Sequence, residues 1–122
     1  MVPVTPIREL PAYRLRRVTA YIDENLHREL RLADLSAVVH MSPFHFARLF
    51  KHSTGVAPHQ FVLRRRIEEA CARLAMHAGS VADIGRSVGF RTSSHFTTTF
   101  RRTTGMTPTE YRTSASGWRQ PT

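Results

Sequence analysis

The chain is short of acid and almost without cysteine. Nine Asp and Glu stand against 18 Lys and Arg, a formal net charge of +9 and a pI near 11.4 in 122 residues. That imbalance points to a polyanionic partner: a nucleic acid or, less often, an anionic membrane surface. The one cysteine, Cys71, excludes an internal disulfide framework and any multi-cysteine zinc or iron–sulfur site, and suits a reducing compartment. No apolar run approaches the roughly 18 residues of a membrane helix. The first residues, MVPVTPIREL, lack the n-region and h-region of a secretory signal. There is no phosphate loop, no nucleophile elbow and no paired carboxylate set, so an enzyme is not expected. The seven histidines include no His-Glu-x-x-His pattern, and neither metal nor cofactor is expected. No segment alternates apolar and polar residues as a strand would. What is present is an apolar fraction of 41 % spread over the whole length, enough for one folded domain or two very small ones.

The apolar spacing is helical throughout. Residues 1–10 hold Pro3 and Pro6 and read as an extended arm. From Pro11 to Leu26, the residues Leu15, Val18, Ile22 and Leu26 share one helical face. Leu32 to Val39 is a short second helix. Ser42-Pro43 is a strong start signal for a third, which runs to about His52 and stops before Gly55. Pro58 opens a longer helix ending near Gly79. Ser80 caps a helix reaching the Gly89-Phe90 turn, Thr92 caps one running to about Thr103, and Pro108 to Arg112 forms a last turn. Residues 113–122 read as a frayed tail.

An internal repeat organises these helices. Residues 32–41 align with 81–90 at an offset of 49, and 42–62 with 92–112 at an offset of 50, Arg91 being the insertion. Nine of 31 pairs are identical: Ala33/Ala82, Asp34/Asp83, Val39/Val88, His45/His95, Phe46/Phe96, Phe50/Phe100, Thr54/Thr104, Gly55/Gly105 and Pro58/Pro108. Two copies are too few for a solenoid, so the repeat predicts two small modules: a first subdomain over 11–57, a linker helix over 58–79 and a second subdomain over 80–112.

Each copy is helix, short turn, helix, with a small residue, Ser36 or Gly85, where two steeply crossing helices would touch. At about 100° per residue, the second helix of each copy is two-sided. Phe46, Leu49 and Phe50 face a core, as do Phe96 and Phe100. The opposite faces carry Phe44, Ala47, Arg48 and Lys51 in one copy and Ser94, Thr97, Thr98 and Arg101 in the other. Small residues with basic ones suit a helix entering a major groove, where they permit close approach and Arg or Lys meets guanine or phosphate. Lys51 and Arg101 are read as phosphate contacts and Arg102 as a further anchor. Arg48 is a base reader or a solvated charge. Phe44 touches a thymine methyl or sugar, or simply lies exposed. His45 and His95 buttress their helices or touch phosphate. Arg64, Arg65 and Arg66 meet phosphate or form a solvated face, partly neutralised by Glu68 and Glu69.

The stretch VADIGRSVGFRTSSHFTTTFRRTTGMTPTEYR, with its first-copy counterpart ending SPFHFARLFKHSTGVAPHQFV, resembles the signature of the AraC/XylS family of bacterial transcription regulators over residues 10–112. The resemblance implies an all-α fold of seven short helices in two helix-turn-helix subdomains joined by a long helix. It implies recognition helices in successive major-groove segments of double-stranded DNA. By motif position the base-facing residues are Pro43, Phe44, Ala47 and Arg48, then Ser93, Ser94 and Thr98. It implies transcription regulation in the bacterial cytoplasm, with RNA polymerase as a further partner, no membrane partner, and a monomer as this chain stands. A joining helix of about 20 residues spans roughly 30 Å, close to the ~34 Å between major-groove faces. Three positions depart from the pattern. His40 replaces a turn glycine, Arg31 replaces a Ser/Thr cap and weakens that helix start by ~1 kcal/mol, and Thr98 stands where a long reader is common. The family usually adds a ligand-binding or dimerisation domain, so the chain reads as a stand-alone member or as one part of a longer regulator. Two other classes remain in view: the regulatory half of a DNA-repair alkyl-transfer enzyme, and a cationic helical protein binding membranes or RNA without sequence preference.

Overall fold

Prolines and small hydroxyl residues set where the helices begin in the computed structural model, which describes residues 9–118. Among these residues the chain forms seven α-helices and no strand: α1 Ala12–Glu24, α2 Leu32–Val38, α3 Pro43–Thr54, α4 Pro58–Ala75, α5 Val81–Ser87, α6 Ser93–Thr104 and α7 Pro108–Trp118. The expected arm over residues 1–8 and the end of the expected tail, 119–122, lie outside the described residues.

Several boundaries differ from the sequence reading. Helix α1 stops at Glu24, and Leu26, expected on its face, is buried in the segment that follows. Helix α4 ends at Ala75 rather than near Gly79, because His77 takes a left-handed conformation (φ 53°) that a helix cannot continue through. Helix α7 runs six residues past Arg112, to Trp118, since no proline interrupts Thr113–Trp118. Its start is a capping box: the Thr107 N–H donates to Glu110 Oε1 at 2.9 Å, and the Glu110 N–H donates to Thr107 Oγ1 at 3.1 Å. Those hydrogen bonds hold the Glu110 carboxyl below its ordinary pKa. This box therefore supports the helix above the ordinary carboxylate range and is lost as pH falls through the lowered value.

The chain divides into two units. The first holds the residues up to Asn25 together with Leu30–Val62. Here α1 packs on α2 and α2 on α3. Val18, Ile22, Leu35, Val39, Phe46, Leu49, Phe50 and Val62 are buried. Phe50 packs edge-on against Phe61, with ring centroids 5.2 Å apart. The second unit holds Leu26–Glu29 and everything from Leu63 onward. Its core is Ile67, Ala70, Leu74, Ile84, Val88, Phe90, Phe96 and Phe100, flanked by Leu63, Cys71, Val81 and Tyr111. The helix expected to join the copies is α4, whose first residues belong to one unit and whose remainder belongs to the other.

The two turns between the paired helices close identically. In the first unit the His40 N–H donates to Ala37 O (3.1 Å) and the Met41 N–H to Ser36 O (3.0 Å). In the second the Gly89 N–H donates to Arg86 O (3.0 Å) and the Phe90 N–H to Gly85 O (3.0 Å). Both are Schellman closures, which need a residue at positive φ. His40 supplies it at φ 57°, inside the left-handed region an L residue can reach, so the turn survives the departure. The identities Thr54/Thr104 and Gly55/Gly105 are also structural. Each threonine hydroxyl reaches the carbonyl four residues back, at 2.9 Å, and each glycine ends its helix at φ 84° or 82°.

The small residue of the second module is required by a ring. A Cβ on Gly85 would lie 2.6 Å from Phe96 Cδ2, and Phe96 is 1 % exposed and cannot swing away. Gly85→Ala gains helix propensity of about 1 kcal/mol but forces that ring off its position, at about 1–3 kcal/mol. A net loss of about 1 kcal/mol is expected, read as a lower denaturant midpoint with unchanged slope. A midpoint equal to or above that of the parent chain would refute the packing argument.

Candidate nucleic-acid interface

Helices α3 and α6 are held from one side only. Ser42 Oγ accepts from the His45 N–H at 3.3 Å, Thr92 Oγ1 from the His95 N–H at 3.0 Å, and Pro43 occupies the first position of α3. These caps fix both helix starts without using the outward faces. Inward, Phe46, Leu49 and Phe50 are buried on α3, and Phe96, Thr99 and Phe100 on α6. The phenylalanines expected in the core are there. Thr99 is an inward position that the sequence reading did not single out.

All eleven residues singled out from the sequence lie on these two helices. On α3, Pro43, Phe44, Arg48 and Lys51 are exposed and Ala47 is half-buried. On α6, Ser93, Ser94, Thr98, Arg101 and Arg102 are exposed and Thr97 is half-buried. Within each unit they therefore share one outward strip. Lys51, Arg101 and Arg102 sit in the last turns of their helices, where positive charge also offsets the helix dipole. Phe44 is 74 % exposed, and the Arg48 guanidinium carbon lies 6.0 Å from the centre of its ring.

Some basic residues turn out to be structural. Arg66 donates from Nε to Leu26 O (3.1 Å) and from Nη2 to Arg28 O (2.7 Å), tying the Leu26–Glu29 segment to α4. Burial lowers its pKa. Arg65 pairs with Glu68, Arg86 pairs with Asp83, and Arg73 meets Glu69 Oε2 (3.0 Å) and Ser87 Oγ (2.6 Å). The Arg64–Arg66 run is thus not one surface: Arg66 is committed to backbone carbonyls. Arg31, as expected, contributes no side-chain acceptor to α2; its backbone N–H donates to Asp34 Oδ2 (2.9 Å), so only half of a capping box forms. In the second module Ser80 completes the other half, accepting from the Asp83 N–H at 3.0 Å.

Sequence reasoning passed over Arg91. It is the inserted residue immediately before the α6 cap, its side chain is 83 % exposed, and it pairs with Glu29 at 3.8 Å, a solvent-screened contact of little strength. The change of repeat offset from 49 to 50 was the signal that marked it. His95 is placed as a buttress, its ring edge-on to Phe90 at 5.2 Å.

Cys71 is half-buried on α4; burial raises its thiol pKa, a hydrogen bond with Tyr111 lowers it in part, and the nearby Glu68 raises it again. Among the described residues no group of three or more His, Cys, Asp or Glu is arranged to hold a metal ion, and no helix is long and apolar enough to cross a membrane.

Comparison with known proteins agrees with this architecture. A family model described as a helix-turn-helix domain matches residues 35–114. The MmsAB operon regulatory protein of Pseudomonas aeruginosa is 38 % identical over 107 residues, covering 88 % of this chain and 34 % of that protein. The bifunctional transcriptional activator/DNA repair enzyme AdaA of Bacillus subtilis is 33 % identical over 95 residues, covering 78 % of this chain and 45 % of that enzyme. This chain thus spans less than half the length of either curated relative. The solved DNA-binding domain of AdpA, a global transcriptional factor crystallised with a target DNA, superposes with a TM-score of 0.82 at 32 % identity, covering 87 % of this chain and 96 % of that one. Seven helices, a duplicated helix–turn–helix and these likenesses place the chain in the AraC/XylS family of helix-turn-helix domains.

Proposed function

We propose that this chain is a double-stranded DNA-binding module that regulates transcription initiation in the bacterial cytoplasm, with α3 and α6 each lying in a major-groove segment. The carrying observation is the duplication itself. Two capped helices are each anchored by a buried phenylalanine pair, and each presents an outward strip of small, hydroxyl and basic side chains. In this reading Arg48 pairs with a guanine edge, and Pro43, Phe44 and Ala47 allow and complete the close approach. Ser93, Ser94, Thr97 and Thr98 make short, base-tolerant contacts. Lys51, Arg101 and Arg102 meet phosphates, and Arg91 joins them. The module works as a monomer, with RNA polymerase as a protein partner at promoters.

The likeness to AdaA raises the repair-enzyme reading. An alkyl-transfer centre needs a thiolate, and Cys71, the lone cysteine of this chain, is a poor one: burial raises its pKa more than the Tyr111 hydrogen bond lowers it, and Glu68 adds to the rise. The chemistry proposed here is charge neutralisation and groove readout only.

Selection from random duplexes tests the proposal. The expected outcome is one enriched site of roughly 15–20 base pairs, footprinted on one face of the duplex. Binding that random competitor DNA abolishes, or protection around the whole helix, would defeat it.

A further inference from the structure

Phe44 stands out on the outward face of α3. It is 74 % exposed, on the side of the helix away from the buried Phe46, Leu49 and Phe50, and the core makes no use of it. One turn later Arg48 lies with its guanidinium carbon 6.0 Å from the centre of the Phe44 ring, at cation–π range. Beside them, toward the half-buried edge of the strip, is Ala47, small enough to admit another surface closely.

We propose that Phe44 and Arg48 form one reading unit for a guanine flanked by a 5-methylpyrimidine, thymine in unmodified DNA, so that the methyl group itself is read. This rests on the DNA-binding reading above. The ring restricts the long, flexible arginine and so presets its fork for guanine O6 and N7 at a lower ordering cost. The same ring keeps much of its apolar surface exposed. Along base edges of the major groove, the apolar group on offer is the C5-methyl of thymine. Because ring and guanidinium lie side by side, 6.0 Å apart, the two features they read must belong to neighbouring bases. 5-Methylcytosine carries the same methyl at the same ring position, so the unit should accept it in place of thymine while resisting unmethylated cytosine. The corresponding positions of α6 are Ser94 and Thr98, which can form no such pair. This coupled reading of guanine and methyl is therefore confined to one half of the site.

The probe is the duplex recovered by selection, remade with single-base changes. Replacing the relevant thymine by deoxyuridine removes one methyl group and nothing else. It should weaken binding by the intact chain about fourfold, the scale of one buried methyl. Methylating a cytosine placed at that position should strengthen binding by about the same factor. In Phe44→Ala, thermally as stable as the parent because the residue is solvent-facing, both effects should vanish while the guanine preference weakens. In Arg48→Ala the guanine preference should vanish. A site with no thymine beside its guanine, equal affinity for thymine and deoxyuridine, or a methyl effect that persists in Phe44→Ala would each overturn this inference and leave the DNA-binding reading intact. Failure to recover any site overturns that reading as well.

Discussion

Raising salt from about 50 to about 200 mM should lower the affinity of this chain for duplex DNA more than a hundredfold, by about 150-fold. Each cation that neutralises a phosphate releases condensed counterions, and the logarithmic slope is about −0.9 per contact. The outward faces supply Lys51, Arg91, Arg101 and Arg102 as side-chain contacts, and the capped starts of α3 and α6 add backbone amides. The amides are neutral, so the four cations set the slope, at about −3.6. Arg66 is left out of that sum because Leu26 O and Arg28 O occupy it. Single substitutions should separate two kinds of contact. Lys51→Ala should weaken all sequences alike and reduce the slope by about 1, whereas Arg48→Ala should erase discrimination of ~1–3 kcal/mol at one or two positions. With Ser94 and Thr98 opposite those roles, the selected site should have one sharp half and one blurred half. Anisotropy titrations across a salt series measure all of this. A slope near zero would end the nucleic-acid reading, and equal information in both halves would end the assigned asymmetry.

Gly89→Ala should cost about 3 kcal/mol of stability, a drop in melting temperature on the order of 10 °C. Gly89 sits at φ 103°, well past the left-handed well that an L residue can occupy. A Cβ there would lie 2.1 Å from Leu26 O and 2.8 Å from Arg66 Nε. The carbonyl cannot yield easily, because Arg66 holds Leu26 and Arg28 through their backbone oxygens. Backbone strain contributes about 1–3 kcal/mol and the forced shift a comparable amount. The control is the matching turn: at φ 57° His40 already occupies the left-handed well, so His40→Gly should be neutral or slightly stabilising. Scanning calorimetry of the two variants decides it. A melting temperature for Gly89→Ala within about 2 °C of the parent would show that the Leu26–Glu29 segment gives way freely.

The starts of the helices, the buried phenylalanines and the sidedness of α3 and α6 were legible in the sequence, because each follows from local chemistry. Ser42, Thr92 and Ser80 cap whatever helix follows them, and a four-residue phenylalanine spacing fixes which side is buried. The duplication multiplied that signal, since Phe46 and Phe96, or Gly55 and Gly105, report the same requirement twice. The role of each arginine was not legible. Arg64, Arg65 and Arg66 are adjacent and identical in type, yet Arg66 is turned onto carbonyls 38 and 40 residues away while Arg65 pairs with Glu68 one turn on. The same holds for the ends of α4 and α7: the positive φ of His77 stops the first, and the second runs through Gly117 to Trp118. Local sequence determined which faces are apolar and where helices begin, because caps and periodicity act within one or two turns. Only the tertiary structure decided which charges remain on the surface, because a guanidinium is committed by acceptors that the folded chain brings to it from far along the sequence.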